Sequence, residues 1–332
     1  MPLNRLVTAA LLSAASGLAL AAQSIEAPGN LSEEAQAYLN KARVGDIDGS
    51  ASNDPETLNR LRKALNGLFL KNAKKIDPDL LITEQDLGGV TGYWVNSTTP
   101  EKPGRVLLYI HGGGHIIGSA QHNLSNAIRI SKASGMPILS VDYRLSPEHP
   151  YPADLNDALT AYHWLLAQGY KPEQIGVYGD SAGGGLALSL TLAAKDEGIP
   201  LPGAVMVMSP VTDVTWQGDS RIVLVDTDPV LRSPLKERYP MWVGEHDPKD
   251  PLISPLYGDY TDFPPLMIQV GTRERLMSDS IRLAQVARDA GTDVTLEVWD
   301  GMWHVWQDMP GLPEAEQACD NIAAFFTKHL QQ

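Results

Sequence analysis

Residues 179–185 read Gly-Asp-Ser-Ala-Gly-Gly-Gly. They follow the apolar run Ile175-Gly-Val-Tyr178 and precede an Ala/Leu-rich stretch, Leu186 to Ala194. The segment is Gly-x-Ser-x-Gly set between a predicted strand and a predicted helix. A chain that turns this sharply from strand to helix lifts the Ser181 hydroxyl clear of the sheet edge. Gly179 and Gly183 flank the serine because side chains there would collide with the neighbouring strand and helix. The pentapeptide alone also arises in small-residue loops, so the residues on either side decide its meaning.

Upstream, Val106-Leu-Leu-Tyr-Ile-His-Gly-Gly-Gly-His115 is again a strand running into glycines. His111 to Gly114 is the H-G-G-G pattern that supplies oxyanion-stabilising amides. Glycines let the backbone approach a substrate with no side chain in the way. Preorganised N–H groups stabilise the oxyanion of a tetrahedral intermediate, and removing one costs ~10²–10³ in rate. The expected donors are the amides of Gly113, Gly114 and Ala182.

Downstream, Pro265 to Gly271 reads as a strand, followed by Thr272-Arg-Glu-Arg-Leu-Met-Ser-Asp279 and a helix from about Ser280 to Ala290. A further strand, Asp293 to Trp299, leads into Asp300-Gly-Met-Trp-His304. A carboxylate and then a histidine, each just past a strand, match the order Ser…Asp/Glu…His. Of the eight histidines, only His304 combines that order with a loop setting and a nearby glycine, Gly301. Glu274 and Asp279 compete for the orienting role. Glu274 directly follows the strand and is favoured. Asp279, further on, is expected to cap the next helix.

These stretches together resemble the bacterial hormone-sensitive-lipase-like esterases, the α/β-hydrolase fold-3 group. The resemblance runs from about Gly104 to Trp306 and includes Val141-Asp-Tyr-Arg-Leu-Ser-Pro-Glu-His-Pro-Tyr-Pro152. It implies an α/β fold with a mainly parallel sheet flanked by helices and covered by a helical cap. It implies catalysis by Ser181, His304 and Glu274 with no metal or organic cofactor. Two positions depart from the family: Glu274 stands where Asp is usual, and His115 where an aromatic residue usually follows the third glycine. His115 is assigned no catalytic role. The segments Val211 to Leu231 and Gly271 to Trp306 also resemble a branch that includes monoterpene lactone hydrolases. The resemblance implies a serine carboxylesterase acting on small-molecule esters of short to medium acyl chain, with a lactone as the alternative. The plant gibberellin receptors, binding proteins that resemble the family, lack the histidine present here as His304. Members often pair through the last strand and helix, so a homodimer is an expectation.

Alternating strand-like and helical runs from Thr91 onward support a parallel sheet independently of the resemblance. Met1 to Ala22 carries one basic residue, Arg5, then an Ala/Leu-rich stretch ending in Ala19-Leu-Ala21. It reads as a signal peptide, with periplasmic or secreted location expected. The remaining 23–332, about 310 residues, suit one α/β domain with added cap pieces. Two segments fall outside the core pattern, about 24–82 and 211–243, and are read as those pieces. In the first, Ser32 is expected to cap one helix and Asp54-Pro55 to start another. The second helix would put Leu58, Leu61, Leu65, Leu68 and Phe69 on one face. A formal charge of −14 argues against nucleic acid and anionic membrane partners. No stretch after the leader reads as a membrane span. Cys319 is the only cysteine and falls at helical spacing with Ile322 and Phe326, so it is read as a core residue.

Overall fold

Short apolar runs bounded by Gly and Pro become the buried strands of one sheet. The structure is a computed structural model that describes residues 29–42, 54–95, 104–121, 123–231 and 239–331. The expected signal peptide, residues 24–28 and 43–53 of the first expected cap piece and residues 232–238 of the second lie outside the described residues. Strands β1 (Ile82–Asp86), β2 (Thr91–Val95), β3 (Val106–Ile110), β4 (Ile138–Val141), β5 (Ile175–Asp180), β6 (Ala204–Met208), β7 (Leu266–Gly271) and β8 (Val294–Trp299) form the sheet. Their order is β1-β2-β4-β3-β5-β6-β7-β8. All neighbours from β4 to β8 run parallel, while β1 and β2 form an antiparallel edge. Gly88 and Gly89, both at positive φ, turn the β1–β2 hairpin. Every residue of β3 to β7 is buried, as a parallel sheet covered on both faces requires.

The helices are α1 (Glu33–Lys41), α2 (Pro55–Ile76), α3 (Ser125–Ser134), α4 (Ala153–Ala167), α5 (Ser181–Asp196), α6 (Ser220–Val223), α7 (Tyr239–Val243), α8 (Met277–Asp289) and α9 (Pro313–His329). One core lies between the sheet and α4, α5 and α8, with Leu108, Ile110, Val177, Leu188 and Ile268 among its residues. A second lies on the opposite face, where Leu107, Tyr109, Ile128 and Met206 meet Cys319, Ile322 and Phe326 of α9. Each fully buried aliphatic side chain contributes ~1.5–3 kcal/mol, so the two cores fix which way each strand end points.

Ser32 and Asp54 cap α1 and α2 through their side chains, as their positions imply. What the helices bury differs from the sequence expectation. Of the proposed α2 face only Leu58 is buried; Leu61, Leu65 and Phe69 are half-buried and Leu68 is exposed. The periodicity of α2 marks an apolar stripe that the described residues cover only partly. The short α1 packs Ala35 and Leu39 against Met302, Trp303, Trp306, Ala315 and Ala318. Tyr38 stacks on Trp303 at 4.5 Å, so α1 supports the loop that carries His304. Among the described residues no helix is long and apolar enough to cross a membrane.

The tightest packing lies between α5 and β3. A Cβ at Gly183 would sit 2.2 Å from the Ile110 carbonyl oxygen and 2.3 Å from that of His111. These are backbone atoms and cannot swing aside. Gly183→Ala is therefore expected to destabilise the fold by ~1–3 kcal/mol. Gly67→Ala, inside α2 with nothing within 4 Å of the added methyl, should be neutral or stabilising by up to ~1 kcal/mol. Urea unfolding of both variants checks this; an unchanged midpoint for Gly183→Ala would contradict the contact.

Candidate active site

Strand β5 ends at Asp180 and α5 begins at Ser181, which adopts φ +53°. A non-glycine residue in this region is strained, and here the strain presents the serine at the sheet's C-terminal edge. A Cβ at Gly179 would meet the Gly183 carbonyl oxygen at 2.4 Å, so the collision argument for both flanking glycines is met.

Strands β7 and β8 end on the same edge. The loop after β8 turns at Gly301 (φ +71°), where Leu31 from the N-terminal segment packs so closely that an added Cβ would meet it at 2.7 Å. The loop delivers His304 with Nε2 2.9 Å from Ser181 Oγ and Nδ1 2.9 Å from Glu274 Oε2. Glu274 is fully buried and His304 5% exposed, so water screens neither strongly. The other Glu274 oxygen accepts from the Gly271 amide at 2.6 Å and from Ser209 Oγ at 3.0 Å. Burial pushes the His304 imidazole down, but the hydrogen bond and charge of Glu274 outweigh it, and its pKa lies above the ordinary value. Burial raises the Glu274 carboxyl, and His304 partly opposes that rise.

Asp279 does not cap α8. It lies inside the helix, whose N-cap Leu276 makes no side-chain bond. Its carboxylate accepts from the Thr212 and Asp213 amides and pairs with the fully buried Arg221. The capping signal misleads because the actual partners sit about sixty residues away in sequence.

The Gly113 and Gly114 amides lie in a tight turn at φ +125° and +65°. The Gly113 carbonyl accepts from the Ile116 and Ile117 amides. Neither glycine amide donates to an acceptor among the described residues. Ala182, in the first turn of α5, has its amide at the positive end of the helix. This juxtaposes the three expected donors' segments with Ser181: Gly183 of the same turn touches the carbonyls of Ile110 and His111.

Residues 107–308 match the family described as alpha/beta hydrolase fold. The chain belongs to this family. Among its curated relatives is an acetyl-hydrolase from Streptomyces hygroscopicus, 42% identical over 72% of this chain and 80% of that protein. An esterase from Acinetobacter venetianus is 33% identical over 82% of this chain and 89% of that one. A crystal structure of an esterase from the bacterial hormone-sensitive lipase family superposes with a TM-score of 0.78 at 38% identity, covering 85% and 94% of the two chains. The expected family resemblance and α/β-hydrolase fold are thus both met.

Two polar residues escaped sequence reasoning in this alpha/beta hydrolase. Ser209, at φ +47° after β6, donates to Glu274 and accepts from the Val305 amide at 3.1 Å, joining the acid to the histidine loop. Asp180 joins the serine turn to the glycine turn. Its Oδ1 accepts from the Gly112 amide at 3.0 Å and the Tyr109 hydroxyl at 2.7 Å. Burial and then the Asp308 charge push its pKa up to about 7. Position beside Ser181 was the only available sign for Asp180; Ser209 had none beyond following a strand.

The pH profile tests the Glu274–His304 bond. Activity should fall as pH decreases and His304 gains a proton, with a midpoint above ~6.5. Removing the acidic charge by Glu274→Gln should move the midpoint to lower pH and reduce kcat/KM ~10²–10⁴-fold. An unmoved midpoint in that variant would show that Glu274 does not govern the base.

Proposed function

We propose that the protein is a serine carboxylesterase that hydrolyses short to medium acyl esters of small molecules. The observation that carries this reading is the continuous chain from Ser181 Oγ through His304 to Glu274, at 2.9 Å for each link. The relatives named acetyl-hydrolase and esterase support the same class.

The chemistry follows from the geometry. Glu274 accepts a hydrogen bond from His304 Nδ1–H and so fixes the tautomer in which Nε2 is free to accept a proton. Ser181 donates its proton to Nε2 as Oγ attacks the ester carbonyl. The developing oxyanion is stabilised by the amides of Gly113, Gly114 and Ala182. His304, now an imidazolium next to Glu274, protonates the departing alkoxide. Water then enters, His304 removes its proton, and the acyl-enzyme is cleaved to the acid and free Ser181.

The described parts of the second segment, 211–231 and 239–243, serve as a cap in this reading. Val211, Val214, Tyr239, Trp242, Val243, Ile253 and Leu276 form a separate apolar cluster that includes a residue two positions past Glu274. Arg221 and Arg275 both face the Trp216 ring, at 4.5 and 5.4 Å, and tie the segment to the loop of Glu274. In this reading the cap bounds the acyl pocket, which favours small acids. A lactone is a cyclic ester and needs the same steps, but the relative named acetyl-hydrolase favours release of a separate small acid over ring opening.

Hydrolysis of p-nitrophenyl acetate, butyrate, octanoate and palmitate tests the proposal. Rates should peak at acetate or butyrate, and Ser181→Ala should lower them ~10⁴-fold or more while the protein stays folded. Equal rates in the variant would remove Ser181 as nucleophile, and a maximum at palmitate would contradict a bounded pocket.

A further inference from the structure

The residue after the glycine turn, His115, is 2% exposed and sits at φ +60°. Its ring lies flat on the Trp242 indole, with centroids 3.6 Å apart and planes 3° from parallel. Both rings point a nitrogen at the same acceptor. His115 Nδ1 is 2.7 Å and Trp242 Nε1 2.8 Å from Asp154 Oδ2. Asp154 is 1% exposed in the first turn of α4, where its other oxygen accepts from the Leu155 amide.

Three elements therefore meet at one carboxylate oxygen: the glycine turn, α4 and the cap helix α7. The backbone around His115 is held as well. Its carbonyl accepts from the Ser146 amide at 2.8 Å. Arg62 of α2 donates to the Ile116 and Ser146 carbonyls at 2.7 and 2.8 Å. Trp242 and Arg62 come from the two segments read as cap pieces, and both act on the residues that follow Gly114.

We propose that His115, Asp154 and Trp242 form a latch through which the cap sets the position of the oxyanion-binding turn, with His115 as a positioning residue. The inference rests on the esterase reading above and adds a residue to it. Packing alone does not call for this arrangement. A purely apolar ring at position 115 could stack on Trp242 equally well. It would bring no donor to Asp154, and a buried carboxylate that loses a donor is costly. The stack and the two hydrogen bonds fix both the distance and the rotation of His115 relative to α7. Through the peptide unit joining Gly114 to His115, that fixes the neighbouring amides. Such amides matter most when charge develops on the substrate oxygen, so the latch acts on the transition state more than on substrate binding.

The test uses the full-length protein and its His115→Phe, Trp242→Phe and double variants. His115→Phe keeps an aromatic stack, Trp242→Phe keeps an apolar ring, and each removes one donor from Asp154. Measured are kcat and KM for p-nitrophenyl acetate, the inhibition constant of an aryl trifluoromethyl ketone, and the thermal unfolding midpoint. The ketone is bound as a hemiketal oxyanion and so reports on the turn directly.

His115→Phe should lower kcat ~10-fold, less than the ~10²–10³ of deleting an oxyanion donor outright. KM should change less than about twofold, and the ketone should bind weaker by the same factor as the loss in kcat/KM. The double variant should lose less than the product of the two single losses, because both donors act through Asp154. Unchanged kcat and ketone affinity in both single variants would overturn the latch, as would a loss confined to KM or to thermal stability. A wild-type protein that neither hydrolyses the ester nor binds the ketone would sink the esterase reading itself, and the latch with it. An active wild type with indifferent variants would sink the latch alone.

Discussion

The site rests on a backbone-to-backbone contact between the first turn of α5 and the end of β3. Gly183 lies against the carbonyls of Ile110 and His111, and Gly179 against those of Gly183 and Ile110. No side chain fits at either position. That closeness brings the Ser181 turn and the glycine turn onto the same point of the sheet edge. The parallel direction of β5, β7 and β8 then delivers the serine, the acid and the histidine to that edge from three separate stretches of chain. In an open parallel sheet the C-terminal ends of the strands are where loops of different origin converge, and this site uses four of them.

Around that contact the chain buries more charge than a structural core needs. Glu274, Asp180, Asp279, Asp154 and Arg221 are all nearly inaccessible. Each has partners: Glu274 has His304, Ser209 and the Gly271 amide, and Asp180 has Tyr109 and the Gly112 amide. Asp279 and Arg221 pair with each other, and Asp154 receives two ring donors. Replacing such groups by apolar ones often costs little stability, so their value lies in geometry. Glu274 and Asp180 each join two loops that approach the serine, Asp279 and Arg221 tie α8 to the segment after β6, and Asp154 ties α4 to the glycine turn and α7. The polar groups hold loops in register where apolar packing alone would let them slide.

Much of this could be read from the residues. The strand-to-helix glycine patterns placed Ser181 and His111 to Gly114 because the conformational demand is local and leaves a local signature. Glu274 and His304 followed from chain order and from lying just past predicted strands. The rest had no local signature. Ser209 is a single serine whose partners lie 65 and 96 positions away. Asp154 looks like an ordinary residue of a helix start, and only folding brings it to His115, 39 positions away, and Trp242, 88 positions away. Asp279 carried a capping signal that a distant arginine overrode. For α1 the pattern predicted a helix but not its partner, since an apolar stripe does not name the surface it covers. It meets the Trp303 loop at the other end of the chain.

The central claim is that Ser181 is a nucleophile activated by His304. A fluorophosphonate that reacts only with an activated serine tests it directly, with the adduct located by peptide mass spectrometry. A single adduct is expected, on the peptide containing Ser181, with labelling slowed at least ~10³-fold in a folded His304→Ala variant. An adduct on another residue, or an unchanged labelling rate without His304, would contradict it.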